Sequence, residues 1–142
     1  MACLIDVNVI IPIIIQQHTK SESAVDWWDP LPTRHVVLSL PVRMATLRLL
    51  TNPKIMGEDV LPPEDAWRIW SRFSKDERTR EDYGSPEGLD TYWLSNVLGR
   101  VPTPKLWTDA WLAAFAETSG LEMVTFDQDF RSFHLSRLKL LS

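Results

Sequence analysis

Three aspartates stand at places in this chain from which their carboxylates could meet. Asp6 closes an apolar run, Ala2-Cys3-Leu4-Ile5-Asp6-Val7-Asn8. Asp127 closes a second, Leu121-Glu122-Met123-Val124-Thr125-Phe126-Asp127-Gln128-Asp129-Phe130. Asp109, in Trp107-Thr108-Asp109-Ala110, lies early in a predicted helix that continues as the almost wholly apolar Ala110-Trp111-Leu112-Ala113-Ala114-Phe115-Ala116. An acid at the head of such a helix needs a partner. Carboxylates gathered in one crevice repel one another and are costly to bury unless a hard cation sits between them. Two of the three also have a local reading. Asp6 and Asn8 could simply cap the following helix, and Asp127 and Asp129 could shape a turn through their own backbone hydrogen bonds.

The elements that must position these residues follow from the apolar pattern. Continuous apolar runs suit strands buried on both faces of a parallel sheet. In open α/β sheets the ligand site lies off the carboxyl ends of the strands. Two strands that both end in Asp therefore deliver their carboxylates to one place. Between them, a helix is predicted from Val9 to about Gln17 with Asn8 as its N-cap. A second runs from Ser21 to Asp29 and is broken by Pro30 and Pro32. Arg34 to Ser39 reads as the second strand, and Val42 to Leu50 as a helix closed by Thr51-Asn52-Pro53. Pro62-Pro63 opens another helix, with Trp67 and Trp70 on its apolar face. Ser74 to Gly84 is charged and reads as loop, with room for a short strand. Ser85-Pro86-Glu87 starts a helix through Leu98, and Thr103-Pro104 starts the next, which Gly120 ends. Leu138 to Leu141 is a last short strand. The alternation predicts one α/β domain over residues 1–142, with helices flanking a mostly parallel sheet.

Composition limits the function classes. The chain has 142 residues, 44% of them hydrophobic and 24% charged, with a formal net charge of −4, which argues weakly against an extended nucleic-acid footprint but leaves local basic patches open. Arg68, Arg72 and Lys75 have helical spacing and form either such a patch or a solvated helix face. The single cysteine, Cys3, cannot form an internal disulfide and reads as an inert core thiol in a reducing, cytoplasmic setting. The apolar stretch from Val9 to Ile15 lacks a basic leader and is too short to span a bilayer. His18, His35 and His134 share no metal-ligand spacing, five glycines make a phosphate loop improbable, and no nucleophile turn is present. The seven tryptophans are mostly core by helical spacing.

Taken together, Leu4-Ile5-Asp6-Val7-Asn8-Val9, Leu47-Arg48-Leu49-Leu50-Thr51-Asn52-Pro53, Thr108-Asp109-Ala110-Trp111-Leu112-Ala113-Ala114 and Val124-Thr125-Phe126-Asp127-Gln128-Asp129-Phe130 resemble, in order and spacing, a PIN domain, and more narrowly the VapC-type ribonuclease toxins of toxin–antitoxin pairs. The resemblance implies a PIN-like three-layer fold and an endoribonuclease dependent on Mg²⁺ or Mn²⁺. It also implies a homodimer, and an antitoxin of the VapB type whose tail fills the site. It carries the metal-site acids onto Asp6, Asp109 and Asp127, with Asn8, Thr108 and Asp129 as supporting or substrate-side groups. RNA, transfer RNA in particular, is the implied substrate. The reaction would be metal-assisted hydrolysis of a phosphodiester.

One position departs from the family. An acid, sometimes Gln, is usual early in the helix after the second strand, and counting back from Leu47 places Arg43 there. No Asp or Glu occurs between Asp29 and Glu58. A guanidinium cannot ligate a metal; at that position it would pair with Asp6 or Asp109 and lower their pKa values, or contact the scissile phosphate. Glu58 and Asp59 supply a replacement only if their loop folds back. Two rival classes remain: a non-catalytic PIN-like module that binds RNA or antitoxin, and a phosphotransfer enzyme. The second is suggested by Asp6-Val7-Asn8 and opposed by Asn8, where such an enzyme needs a second Asp.

Overall fold

A computed structural model describes residues 1–142. Its strands are short: β1 (Cys3–Ile5), β2 (Val36–Leu38), β3 (Thr79–Glu81), β4 (Glu122–Thr125) and β5 (Leu138–Leu140). They form one sheet in the order β3-β2-β1-β4-β5, with every neighbouring pair parallel. Cys3, Leu4 and Ile5 of β1 and Val36, Val37 and Leu38 of β2 are wholly buried, because helices cover both faces of the sheet. The Cys3 thiol is pushed up to about 12 by that burial, which keeps it protonated and inert.

Seven helices complete the fold: α1 (Val7–Ile14), α2 (Ser21–Trp28), α3 (Leu40–Leu50), α4 (Pro53–Met56), α5 (Pro63–Ser74), α6 (Leu89–Val97) and α7 (Leu106–Thr118). The chain steps outward from β1 through β2 to β3, then returns past β1 to β4 and β5. Right-handed crossovers put the helices of the outward steps on one face and those of the return on the other. Packing follows that division: α1 lies against α2 and α3, α3 against α5, and α6 against α7. The fold is the α/β arrangement expected, with the sheet parallel throughout. Ala110 and Leu112 to Ala116 of α7 are buried because that helix packs on α6 and also on β1 and β4. Each such Leu or Phe contributes about 1.5–3 kcal/mol of apolar burial. On the other face, Trp28 of α2 stacks on Phe73 of α5 with ring centres 5.2 Å apart. No helix is long and apolar enough to cross a membrane.

Several helix starts differ from expectation. α1 begins at Val7, and its N-cap is Asp6, not Asn8: Val7 N–H donates to Asp6 Oδ1 at 2.7 Å. α7 begins at Leu106, past Thr103-Pro104, so Asp109 falls in its first turn, where the helix dipole favours an acid. α6 begins after Gly88, whose φ of 85° suits a residue without a Cβ, rather than at Ser85-Pro86. Trp67 is 50% exposed although Trp70 is buried. The buried stripe of α5 is Ala66, Trp70 and Phe73, an i, i+4, i+7 row from which Trp67 is turned by about 100°. Arg68 pairs with Asp65 at 2.7 Å in the open, and Arg72 and Lys75 are exposed beside it, so this stripe is a solvated helix face.

Candidate active site

The sheet order reverses direction between β1 and β4, and at that switch point a crevice opens on the carboxyl edge. Asp6 follows β1 directly, Asp127 lies two residues past β4, and Asp109 reaches in from the first turn of α7. All three line one crevice of about 310 Å³, together with Asn8, Pro41, Arg48, Lys105 and Thr108. Asp129 stands on the exposed rim and faces an adjoining groove with Arg100, Lys105 and Asp109. Glu58 and Asp59 do not line the crevice.

Arg43 does not line it either. Its guanidinium carbon lies 4.6 Å from the Trp67 ring centre and 5.6 Å from that of Tyr83, and its Nη1 donates to Tyr83 Oη at 3.2 Å. The expected pairing with Asp6 or Asp109 is therefore not formed. α3 turns Pro41, Ala45 and Arg48 toward the carboxylates, an i, i+4, i+7 face that leaves position 43 to one side.

A hydroxyl at the end of β4 ties the acids together. Thr125 Oγ1 donates to Asp6 Oδ2 at 3.1 Å and accepts from Asn8 Nδ2 at 3.1 Å and from Asp127 N–H at 3.0 Å. Asn8 Oδ1 accepts from Phe126 N–H at 3.2 Å. Asn8 thus pins the start of α1 to the turn after β4, and Thr125 sets the relative positions of Asp6 and Asp127. Asp127 Oδ1 accepts from Asp129 N–H at 2.9 Å, closing the turn. The local turn reading of Asp127 holds, and the residue also lines the crevice.

The electrostatics differ among the three acids. Asp6 is only 6% exposed. Burial raises its carboxyl above the ordinary carboxylate range, against the hydrogen bonds from Val7 and Thr125, and the charge on Asp127 adds to the rise. Asp109 is pushed up to about 7, first by burial and then by the negative charge of Asp6. For Asp127 burial acts in the same sense, but the Lys105 ammonium and the Asp129 N–H outweigh it and hold the carboxyl below its usual value. Lys105 Nζ lies 2.9 Å from Asp127 Oδ2 and is itself raised by that contact.

The donor set suits a hard divalent cation: carboxylate oxygens of Asp6, Asp109 and Asp127, crowded enough to suppress ionisation of two of them. As they lie, no three acid, histidine or cysteine side chains close around a single ion. Asp127 Oδ2 is taken by the Lys105 ammonium, which neutralises part of the cluster. Lys105→Met is therefore expected to lower the melting temperature at pH 8 without metal. It should also tighten Mn²⁺ binding on the order of tenfold, since one nearby positive charge at a partly exposed site is worth about 1 kcal/mol or more. Calorimetric titration and melting with and without Mn²⁺ measure both effects; an unchanged Mn²⁺ affinity would show that Lys105 lies outside the field of the bound ion.

The chain's relatives have the same architecture. The family model described as PIN domain matches residues 3–134. Ribonuclease VapC41 of Mycobacterium tuberculosis is 32% identical over 98% of this chain and 98% of its own length. Among solved structures, VapBC2 from Rickettsia felis, bound to a DNA fragment from its promoter, superposes with a TM-score of 0.70 at 13% identity and full coverage of both chains. Mycobacterium tuberculosis VapC20, a sarcin-ricin loop cleaving toxin, superposes with a TM-score of 0.65 at 18% identity, covering 96% of this chain and 99% of that one. The chain belongs to the PIN domain family.

Proposed function

We propose that the chain is a ribonuclease of the VapC type, the toxin of a toxin–antitoxin pair, whose cleavage centre is the crevice between Asp6, Asp109 and Asp127. The observation that carries this reading is the convergence of those three carboxylates at the switch point of the parallel sheet. The whole-length likeness to VapC41 supports it. The likeness to VapBC2 supports a partner antitoxin of the VapB type. A homodimer and a transfer RNA substrate belong to the same reading.

Asp6, Asp109 and Asp127 would hold Mg²⁺ or Mn²⁺, directly or through water. When bound, the ion supplies an activated water and offsets charge developing on the phosphate. The chain's own groups do the positioning. Thr125 and Asn8 fix the acids, and Thr108, next to Asp109 on the crevice wall, faces the entering strand. Arg48 and Lys105 supply positive charge for the phosphate at the rim. Asp129 orients the turn that carries Asp127. The non-catalytic reading drew on Arg43 standing where the family usually has an acid; its guanidinium lies away from the three carboxylates, on Trp67 and Tyr83.

Purified chain incubated with total transfer RNA and Mg²⁺ or Mn²⁺ is expected to give discrete cleavage products that EDTA suppresses. Intact RNA under all metal conditions, from protein shown to be folded, would overturn the reading.

A further inference from the structure

We propose that Tyr83, braced by Arg43 and Trp67, is a stacking platform for an unpaired base of the RNA, one step along the strand from the phosphate at the carboxylates. The inference rests on the ribonuclease reading and names the substrate class it takes: RNA whose bases are unstacked near the cleavage point.

Placement comes first. Tyr83 lies two residues past β3, on the same carboxyl edge of the sheet as Asp6 after β1 and Asp127 after β4. A second groove, of about 450 Å³, is lined by Tyr83, Leu40, Met44 and Trp111 among others, and it shares Pro41, Ala45, Arg48 and Thr108 with the carboxylate crevice. The two are one trough with Arg48 at the join. A strand whose phosphate enters the crevice beside Arg48 has its neighbouring nucleotide over Tyr83.

The chemistry of the platform comes next. Trp67 and Tyr83 are 50% and 42% exposed, a poor use of aromatic area unless something covers it. The Arg43 guanidinium lies over both rings and is tethered to Tyr83 Oη, so the three planar groups are held in place before any ligand arrives. Leu40 and Met44, 45% and 61% exposed, extend the apolar floor. Neither Arg43 nor Arg48 is in an ion pair; Arg48 lines the trough and Arg43 stands against the Tyr83 ring, in a chain whose net charge is −4. Aromatic rings beside unpaired arginines, continuous with a phosphate-cleaving crevice, match the way single strands are held: stacking for the base, cations for the backbone.

The test uses the full chain with Asp6→Asn to prevent cleavage, and wild type in EDTA as a second background. A fluorescein-labelled hairpin RNA with an unpaired loop is compared with the blunt duplex of its stem, by anisotropy. Tyr83→Ala is expected to weaken hairpin binding roughly 5- to 150-fold, the scale of one stacked base, and to leave duplex binding unchanged. Tyr83→Phe should retain most of the affinity, and Arg43→Leu should lose part of it. Equal effects on hairpin and duplex, or none, would overturn the platform while leaving the ribonuclease reading intact. A Tyr83→Ala chain that changes its mass in solution would show the face to be a contact between copies, and would also overturn it. No RNA binding by either background would defeat both readings together.

Discussion

Asp6→Asn is expected to lower the rate of RNA cleavage on the order of 10³-fold and to leave the fold intact, a loss at the upper end of that seen when one preorganised hydrogen-bonding group is removed from an active site. The asparagine keeps the side-chain oxygen that accepts from Val7 N–H at the head of α1. Its amide meets Thr125 Oγ1, which already accepts from Asn8 Nδ2 and Asp127 N–H, so one hydrogen bond is lost, a cost of about 1 kcal/mol offset by the charge removed from a buried site. What disappears is the one carboxylate of the three that is almost fully buried. The same substitution should relieve growth arrest when the chain is expressed alone in a bacterial host. Equal cleavage of total transfer RNA by both forms, and equal toxicity at equal expression, would remove Asp6 from the reaction.

The second large effect is on stability. In the folded chain without metal, Asp109 titrates at about 7, against an ordinary value of 3.8. The folded state therefore binds this proton more tightly than the unfolded chain does. The contribution of neutral Asp109 is fully present below about pH 4 and is lost as pH rises through 7. The side chain is partly open to water, so screening reduces the loss to about 1–2 kcal/mol, roughly 3–8 °C in melting temperature for a domain of this size. Asp127 works in the opposite sense: its depressed carboxyl stabilises the fold above the ordinary carboxylate range and loses that contribution only in stronger acid. Asp109→Asn should accordingly melt higher than wild type at pH 8 without metal, by less at pH 5, and match it only below about pH 4. It should also abolish the rise that Mn²⁺ produces in wild type by binding the native state. A Mn²⁺ response unchanged in this variant would locate the cation elsewhere.

Much of this arrangement was legible in the order of residues. Runs such as Cys3-Leu4-Ile5 and Met123-Val124-Thr125 are apolar on both faces because a parallel sheet buries both, and the acids that end them reach one crevice. β3 was harder to read, since Thr79-Arg80-Glu81 lies at a sheet edge where polar side chains are tolerated. Helix starts were misplaced where Ser-Pro and Thr-Pro pairs precede the true first turn. Arg43 lies away from the carboxylates that its spacing suggests as partners: spacing fixes a residue's place on a helix, whereas the rotation of α3 about its axis is decided by what packs beneath it. Lys105 finds its partner 22 residues away, beyond α7 and β4, a contact visible only in three dimensions. Thr125 gave a weak signal, a hydroxyl two positions before an acid on extended backbone, where alternate residues share a side. Tyr83 gave none, and only its position at the sheet edge singles it out.

The hydrogen bond from Thr125 to Asp6 joins residues 119 apart in the chain. Nothing short of that separation builds the cluster, because β1 pairs with β4 only after everything between them has been made. At ribosomal speeds the interval between the first aspartate and its anchor is roughly 6 to 24 s. During that time the nascent polypeptide has β1 but no cleavage centre. A growing chain capable of cutting RNA while still attached to the machinery that makes it would be hazardous to its own synthesis. Splitting the proposed centre between the first strand and the fourth defers it until most of the chain has been made.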